Sequence, residues 1–274
     1  MAVYFVTGGL GSGKGLAAMN QIKTYAANGV KIAGNLDVYL EYLCENINSK
    51  ITYTRIPDRP TKFDLQALGS GNETYDNDLN SLLVLDELAT WFNARTWNDK
   101  GRTDLLDWLV HSRKHGWDVI LIVQSIETVD KQLVELLMEY HVPMSDLSKI
   151  NVPIIGRLGR SLKKNNKPIK LPKIHIGTVL YKNMIKADRW VFRARDLYNA
   201  YDTKQIFTEK NDFGAHSQLS RWHLEGRYKK HTKHTNLILK IIFYYSVKIA
   251  TKITDPKQLA LPYKILSTNH KTCF

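Results

Sequence analysis

Apolar positions in the first 150 residues fall into short continuous runs separated by stretches of helical period. Val3-Tyr4-Phe5-Val6 is an apolar run of β-formers that ends at glycines, and it predicts a buried strand. Lys14 to Ala27 carries leucine, alanine, methionine and isoleucine at helical spacing, with Gly29 as the stop. Val30-Lys31-Ile32-Ala33 and Leu82 to Leu85 predict two further strands. Thr103 to His115 is an amphipathic helix with Leu105, Leu106, Leu109 and Val110 on one side and Gly116 after it. Val119 to Val123 predicts a buried strand, and Thr128 to Tyr140 a helix. Strands alternating with helices imply parallel pairing with right-handed crossovers. The expected fold is therefore α/β, a mostly parallel sheet flanked by helices. After residue 150 the pattern breaks into Gly156, Gly159, Asn165-Asn166, Pro153, Pro168 and Pro172 among lysines. That composition predicts loops and short strands of a smaller, basic C-terminal subdomain. The expected divisions are residues 1–150, an α+β extension over 151–236, and a segment over 237–274 that is membrane-proximal or a truncated membrane segment with its tail.

Between the first strand and the first helix, Gly8, Gly9, Leu10, Gly11, Ser12, Gly13, Lys14 and Gly15 fit G-x-x-x-x-G-K. Glycines let the backbone curl so that its N–H groups face phosphate oxygens. A helix starting near Lys14 adds its N-terminal partial charge, and Lys14 reaches the β/γ-phosphates. This strand–loop–helix setting predicts a P-loop NTPase-type domain. The residue after the lysine is ordinarily Ser or Thr, whose hydroxyl binds Mg²⁺; here it is Gly15. Water can complete the coordination, because Mg²⁺ retains several waters. The departure bears on hydrolysis more than on nucleotide binding.

Leu82-Leu83-Val84-Leu85-Asp86-Glu87 places an acidic pair at the C-terminal end of a buried strand, the end where open α/β sheets bind ligands. Asp86 is the expected Mg²⁺ ligand and Glu87 the general base. Gln124 closes the strand Val119 to Val123, within reach of a γ-phosphate or its water. Arg113, on the helix before that strand, is a candidate finger onto a neighbouring subunit's γ-phosphate.

The 274 residues are enough for one or two domains. With 43 % hydrophobic and 24 % charged residues, a sizeable core is available and wholesale disorder is excluded. Cys44 and Cys273 alone cannot form a disulfide framework or a cysteine-rich zinc site. The net charge of +13 is unevenly divided, −5 over residues 1–150 and +18 over 151–274. The basic half points to an anionic partner, nucleic acid or an acidic membrane surface. No secretory signal is expected at the N-terminus. The most apolar late stretch, Leu237 to Ala250, contains Lys240 and Lys248 and is too short for a standard spanning helix. Arg227, Lys229, Lys230 and Lys233 precede it, as in a cytoplasmic juxtamembrane segment.

Several stretches together resemble the zonula occludens toxin-like family, which includes the gene I assembly proteins of filamentous bacteriophages. They are Met1 to Gly8, Gly11 to Lys14, Ile32-Ala33 with Asn35-Leu36-Asp37, and Leu82 to Glu87 with Thr90-Trp91-Phe92-Asn93. Trp97-Asn98-Asp99-Lys100, Gly116-Trp117-Asp118 and Leu197 to Gln205 continue the match in order. The resemblance implies an ATP- and Mg²⁺-using assembly protein at the cytoplasmic face of the host inner membrane. It would work as a homo-oligomer with phage assembly and coat proteins on the phage single-stranded DNA complex during extrusion. Two other readings stand beside a hydrolysing motor. One is a nucleotide-binding scaffold that has lost hydrolysis with Gly15. The other is a single-strand-binding protein using Trp190, Tyr198, Tyr201 and Trp222 among basic residues.

Overall fold

Each of the apolar runs in the first half becomes a strand of one sheet. The computed structural model describes residues 2–44, 46, 48–74, 76–88, 100–149, 173–207 and 214–225. Strands β1 (Val3–Thr7), β2 (Ile32–Gly34), β3 (Thr52–Arg55), β4 (Ser81–Leu85), β5 (Trp117–Ile122) and β6 (Tyr140–Asp146) pair in parallel. Three more strands come from the second half: β7 (Ile174–Tyr181), β8 (Ile185–Arg193) and β9 (His216–Leu219). The order is β8-β7-β6-β1-β5-β4-β2-β3-β9. Strand β7 runs antiparallel to β6, β8 to β7, and β9 to β3. The chain beyond residue 150 thus enters the fold as edge strands of the same sheet.

The central strands are apolar throughout because both of their faces are covered. Val6, Ile32, Leu82, Val84, Ile120 and Ile122 point to one face, where helix α1 (Lys14–Ala27) buries Leu16, Met19 and Ile22. Phe5, Ala33, Leu83, Leu85, Val119 and Leu121 point to the other, where Leu105, Trp108, Leu109, Leu133 and Leu137 meet them from the helices Lys100–Val110 and Lys131–Leu137. Alternate residues of one strand therefore serve two cores, the period-2 geometry of a pleated strand.

Two helices are shorter than their periodicity predicts. The helix expected over Thr128 to Tyr140 runs only Lys131–Leu137. Asp130 caps it by accepting from Gln132 N at 2.8 Å, and Tyr140 is already in β6, opposite Tyr4. The helix expected over Thr103 to His115 is Lys100–Val110, and His111 to Gly116 form the turn that leads into β5. The matched stretches Thr90-Trp91-Phe92-Asn93 and Trp97-Asn98-Asp99 lie outside the described residues, as do Arg227, Lys229, Lys230, Lys233, Lys240 and the apolar stretch 237–250. Among the described residues, no helix is long and apolar enough to cross a membrane.

Candidate functional site

The loop from Gly8 to Gly13 carries the chain from the C-terminal end of β1 into α1. Gly8 and Gly13 have φ of +147° and +93°. A Cβ at Gly8 would lie 2.5 Å from Ser12 Oγ and 3.0 Å from Met144 O, and one at Gly13 would enter the His175 ring, 2.8 Å from Cε1. The loop closes with Ser12 N donating to Gly9 O at 3.1 Å. Its base is tied to the chain just past β5 by Gly8 N donating to the Gln124 carbonyl at 3.2 Å. Helix α1 has no side-chain cap at Gly13, so its first N–H groups face the loop as an anion site requires. Among the described residues the buried Ser12 hydroxyl finds no hydrogen-bond partner. The Lys14 ammonium donates to Gly8 O at 2.6 Å and Gly9 O at 3.3 Å. Burial lowers its pKa, and the neighbouring Asp86 opposes that shift.

Asp86 is held by a clasp from the next strand. Asn35, fully buried at the end of β2, accepts from Asp86 N at 2.8 Å and donates through Nδ2 to Asp86 O and Asp58 O, both at 3.1 Å. The Asp86 carboxylate accepts from Glu87 N at 2.7 Å. Burial nevertheless pushes its pKa up to about 6, with the Lys14 charge pulling it down. Glu87 takes a left-handed φ of +54°, an uncommon backbone state for a side chain of its size. It is exposed. Its carboxyl is pushed up by burial and Asp58 and pulled down by Arg59.

The second half of the chain supplies a wall. His175 on β7 is 3 % exposed, stacks on Phe192 at 5.7 Å and donates from Nδ1 to Ser12 O at 2.8 Å. The carbonyl can only accept, so Nδ1 carries the proton. Gln205 accepts from Asp37 N and donates to Asn35 O, each at 2.9 Å. Ala200 O accepts from Tyr39 N at 2.7 Å, and Tyr201 bridges to Val38. The resulting cleft of about 360 Å³ is lined by Lys14, Gly15, Asp86, His175, Tyr198 and Tyr201, among others.

Of the sequence-predicted residues, the structure brings together Gly11 to Gly15 and Asp86. Leu10, at the loop tip, is 83 % exposed. Glu87 stands one residue beyond Asp86 and outside the cleft lining, toward Asp58 and Arg59. Gln124 does not close a strand as expected: β5, which lies between β1 and β4, stops at Ile122, and Gln124 stands two residues beyond it with its side chain exposed and its carbonyl making the contact with Gly8. Arg113 lies in the exposed turn before β5. That is the N-terminal end of a strand parallel to β1, so the length of the sheet separates Arg113 from its own chain's loop. Trp190, expected as a possible base-stacking residue, is 9 % exposed and packs on Tyr4 at 5.3 Å. His175, Gln205 and Asn35 had no predicted role, and Tyr201 was expected only as a base-stacking aromatic, not as part of the nucleotide site. Asn35, Tyr201 and Gln205 sit inside stretches that matched the family pattern; His175 had no signal in the sequence.

A model of the zonular occludens toxin (Zot) family matches residues 2–181. The gene 1 protein of Enterobacteria phage fd is 45 % identical over 235 residues, 84 % of this chain and 67 % of that protein. The gene 1 protein of Salmonella phage IKe is 43 % identical over 251 residues, 89 % of this chain and 68 % of that protein. Among solved structures, the N-terminal domain of zonular occludens toxin from Neisseria meningitidis aligns at 18 % identity and a TM-score of 0.39, covering 73 % of this chain and 98 % of that one.

Proposed function

This chain belongs to the zonular occludens toxin family, and on that premise we propose that it is a nucleotide-binding, ATP-hydrolysing assembly protein of a filamentous phage. The observation that carries the reading is the loop itself. Ser12 has a buried hydroxyl with no partner among the described residues, Gly8 and Gly13 leave no room for side chains, and the Lys14 ammonium lies beside Asp86. Such a donor set fits the phosphates of a nucleoside triphosphate.

The backbone N–H groups from Gly9 to Gly15 would cradle the α/β-phosphates, and Lys14 would leave the Gly8 and Gly9 carbonyls for the β/γ-phosphates. Asp86, with water, would hold Mg²⁺, whose chemistry is to neutralise charge developing on the phosphate oxygens. Among the described residues no cluster of three or more His, Cys, Asp or Glu could hold a metal, so such a cation depends on phosphate and water ligands as well. Glu87 would take the proton of the attacking water. Gln124 would help orient that water, and Arg113 would act across a subunit boundary in a homo-oligomer.

Residues 1–150 would form the nucleotide domain and residues 151–236 its basic extension, facing coat and assembly proteins and the phage single-stranded DNA complex. Residues 237–274 would lie at anionic lipid on the cytoplasmic face of the host inner membrane. The position of Glu87 outside the cleft lining favours one other reading, a nucleotide-binding scaffold without turnover. Mg²⁺-dependent ATP hydrolysis by the full chain, measured beside Lys14→Ala, tests the proposal. Turnover that vanishes with Lys14 supports it, ATP binding without turnover favours the scaffold, and absence of ATP binding refutes both.

A further inference from the structure

The one place where the loop departs from the usual pattern, Gly15, is filled from elsewhere in the chain. A Cβ at Gly15 would lie 2.7 Å from Tyr201 Oη, 3.0 Å from Cε2 and 3.1 Å from Cζ. The serine or threonine hydroxyl ordinarily found at this position would extend into the space that the phenol occupies. The ring is not there by chance of a loose side chain. Tyr201 packs against the core on the α1 face, and its backbone bridges to Val38. Four residues on, Gln205 is tied to Asp37 N and Asn35 O. Asn35 is the residue that clasps the backbone of Asp86. The segment bearing the phenol and the strand end bearing the carboxylate therefore share one anchor, and both side chains line the cleft with Lys14.

We propose that Tyr201 supplies the hydroxyl that position 15 lacks, standing beside the cation and phosphates of a bound Mg-nucleotide where the Ser or Thr hydroxyl ordinarily stands. The inference rests on the proposed nucleotide-binding function and deepens it. Burial and the Asp86 carboxylate push the Tyr201 pKa up to about 12, so the group is a neutral phenol at physiological pH. A neutral phenol is a poor direct ligand for Mg²⁺. Its oxygen can instead accept from a water of the hydration shell, which Mg²⁺ gives up reluctantly, while its hydrogen is donated to a phosphate oxygen. Gly15 and Tyr201 are then a matched pair: the glycine admits the ring, and the ring restores the hydroxyl. Placing threonine at 15 with Tyr201 present does not repair the loop, because both groups claim one space.

The test is equilibrium binding of ATP to the full chain by calorimetry across a MgCl₂ series, with thermal melting of each variant alongside. Tyr201→Phe keeps the ring and removes the oxygen. It is expected to raise the MgCl₂ concentration for half-maximal enhancement of ATP binding by about 10-fold or more, the effect typical of losing a group that orients a metal's shell. Gly15→Thr alone is expected to lower the melting temperature. Gly15→Thr combined with Tyr201→Ala, which opens the space for threonine's own hydroxyl, is expected to bring the Mg²⁺ midpoint back toward that of the unaltered chain. An unchanged midpoint in Tyr201→Phe overturns the inference and leaves nucleotide binding standing. Gly15→Thr that melts and responds to Mg²⁺ like the unaltered chain also overturns it. An unaltered chain that binds no ATP overturns the proposed function and this inference together.

Discussion

Asp86 shows how a single functional residue is held against its own preference. Its folded-state pKa of about 6 lies above the ordinary 3.8 because it is buried. The folded chain therefore binds that proton more tightly than the unfolded chain does. Ionising Asp86 costs stability as pH rises from 3.8 to about 6, and the full cost is present above that window. Asp86→Asn is expected to raise the melting temperature by a few degrees at pH 7.5 in EDTA without nucleotide, and by less at pH 5. Equal gains at both pH values would separate the effect from ionisation. Glu87 poses the complementary question. If it activates water, Glu87→Gln retains ATP and loses turnover by about 10²–10⁴-fold, read by comparing steady-state hydrolysis with calorimetric affinity. Turnover at the unaltered rate assigns that role to another residue. The residue types at the loop and at Asp86-Glu87 were legible from spacing alone. The left-handed backbone at Glu87 and its place outside the cleft lining were not, because no local pattern marks them or the Asn35 clasp on the preceding residue, whose anchor lies fifty-one positions upstream.

At the level of elements, sequence periodicity located α1 and the four parallel strands β1, β2, β4 and β5, missed the half-buried β3 and β6, and failed at the edges. Residues Val3, Phe5, Leu83 and Val119 are apolar because both sheet faces are covered, which leaves continuous runs that can be read directly. Strands β8 and β9 carry exposed polar residues, Lys186, Asp188, His216 and Ser217 among them, and their partners are more than a hundred residues away for β9. No local pattern announces such pairing. A polar knot fastens the start of the central elements. Asp118 on β5 accepts from Ala2 N at 2.7 Å, from Tyr25 Oη at 2.7 Å and from Asn80 Nδ2 at 3.1 Å, joining the entry to β1, the last turns of α1 and the loop before β4. Removing the carboxylate would leave three donors without it in a site that is 7 % exposed. Asp118→Ala is expected to lower the melting temperature by roughly 5–10 °C, and Asp118→Asn by less. A loss of only a degree or two in the alanine variant would mean that water replaces all three bonds.

For the whole molecule, the change of composition near residue 150 is genuine in the sequence, yet the sheet continues across it. Strand β7 pairs with β6, β9 pairs with β3, and His175 donates to the carbonyl of Ser12. A chain ended at residue 150 would bare the β6 and β3 edges, lose Tyr201 and His175 from the cleft, and lose the Gln205 bonds to Asp37 and Asn35. Open strand edges invite aggregation. Residues 1–150 expressed alone are expected to be insoluble or to melt without a cooperative transition, as judged by yield and circular dichroism. A soluble, cooperatively melting fragment would show that the edge strands are dispensable.

The bond from His175 to Ser12 spans 163 positions of chain, and that from the Val38 N–H to Gln218 Oε1 spans 180. Closures of that length come late in folding, because chain entropy must be surrendered before they form. A ribosome releases this chain from the phosphate-loop end first. Ser12 and Lys14 would emerge long before His175 and Tyr201 are translated, so the cleft would lack one wall for most of synthesis. Competence to hold a nucleotide would then arrive only after the basic half has been made and has threaded back onto both margins of the sheet.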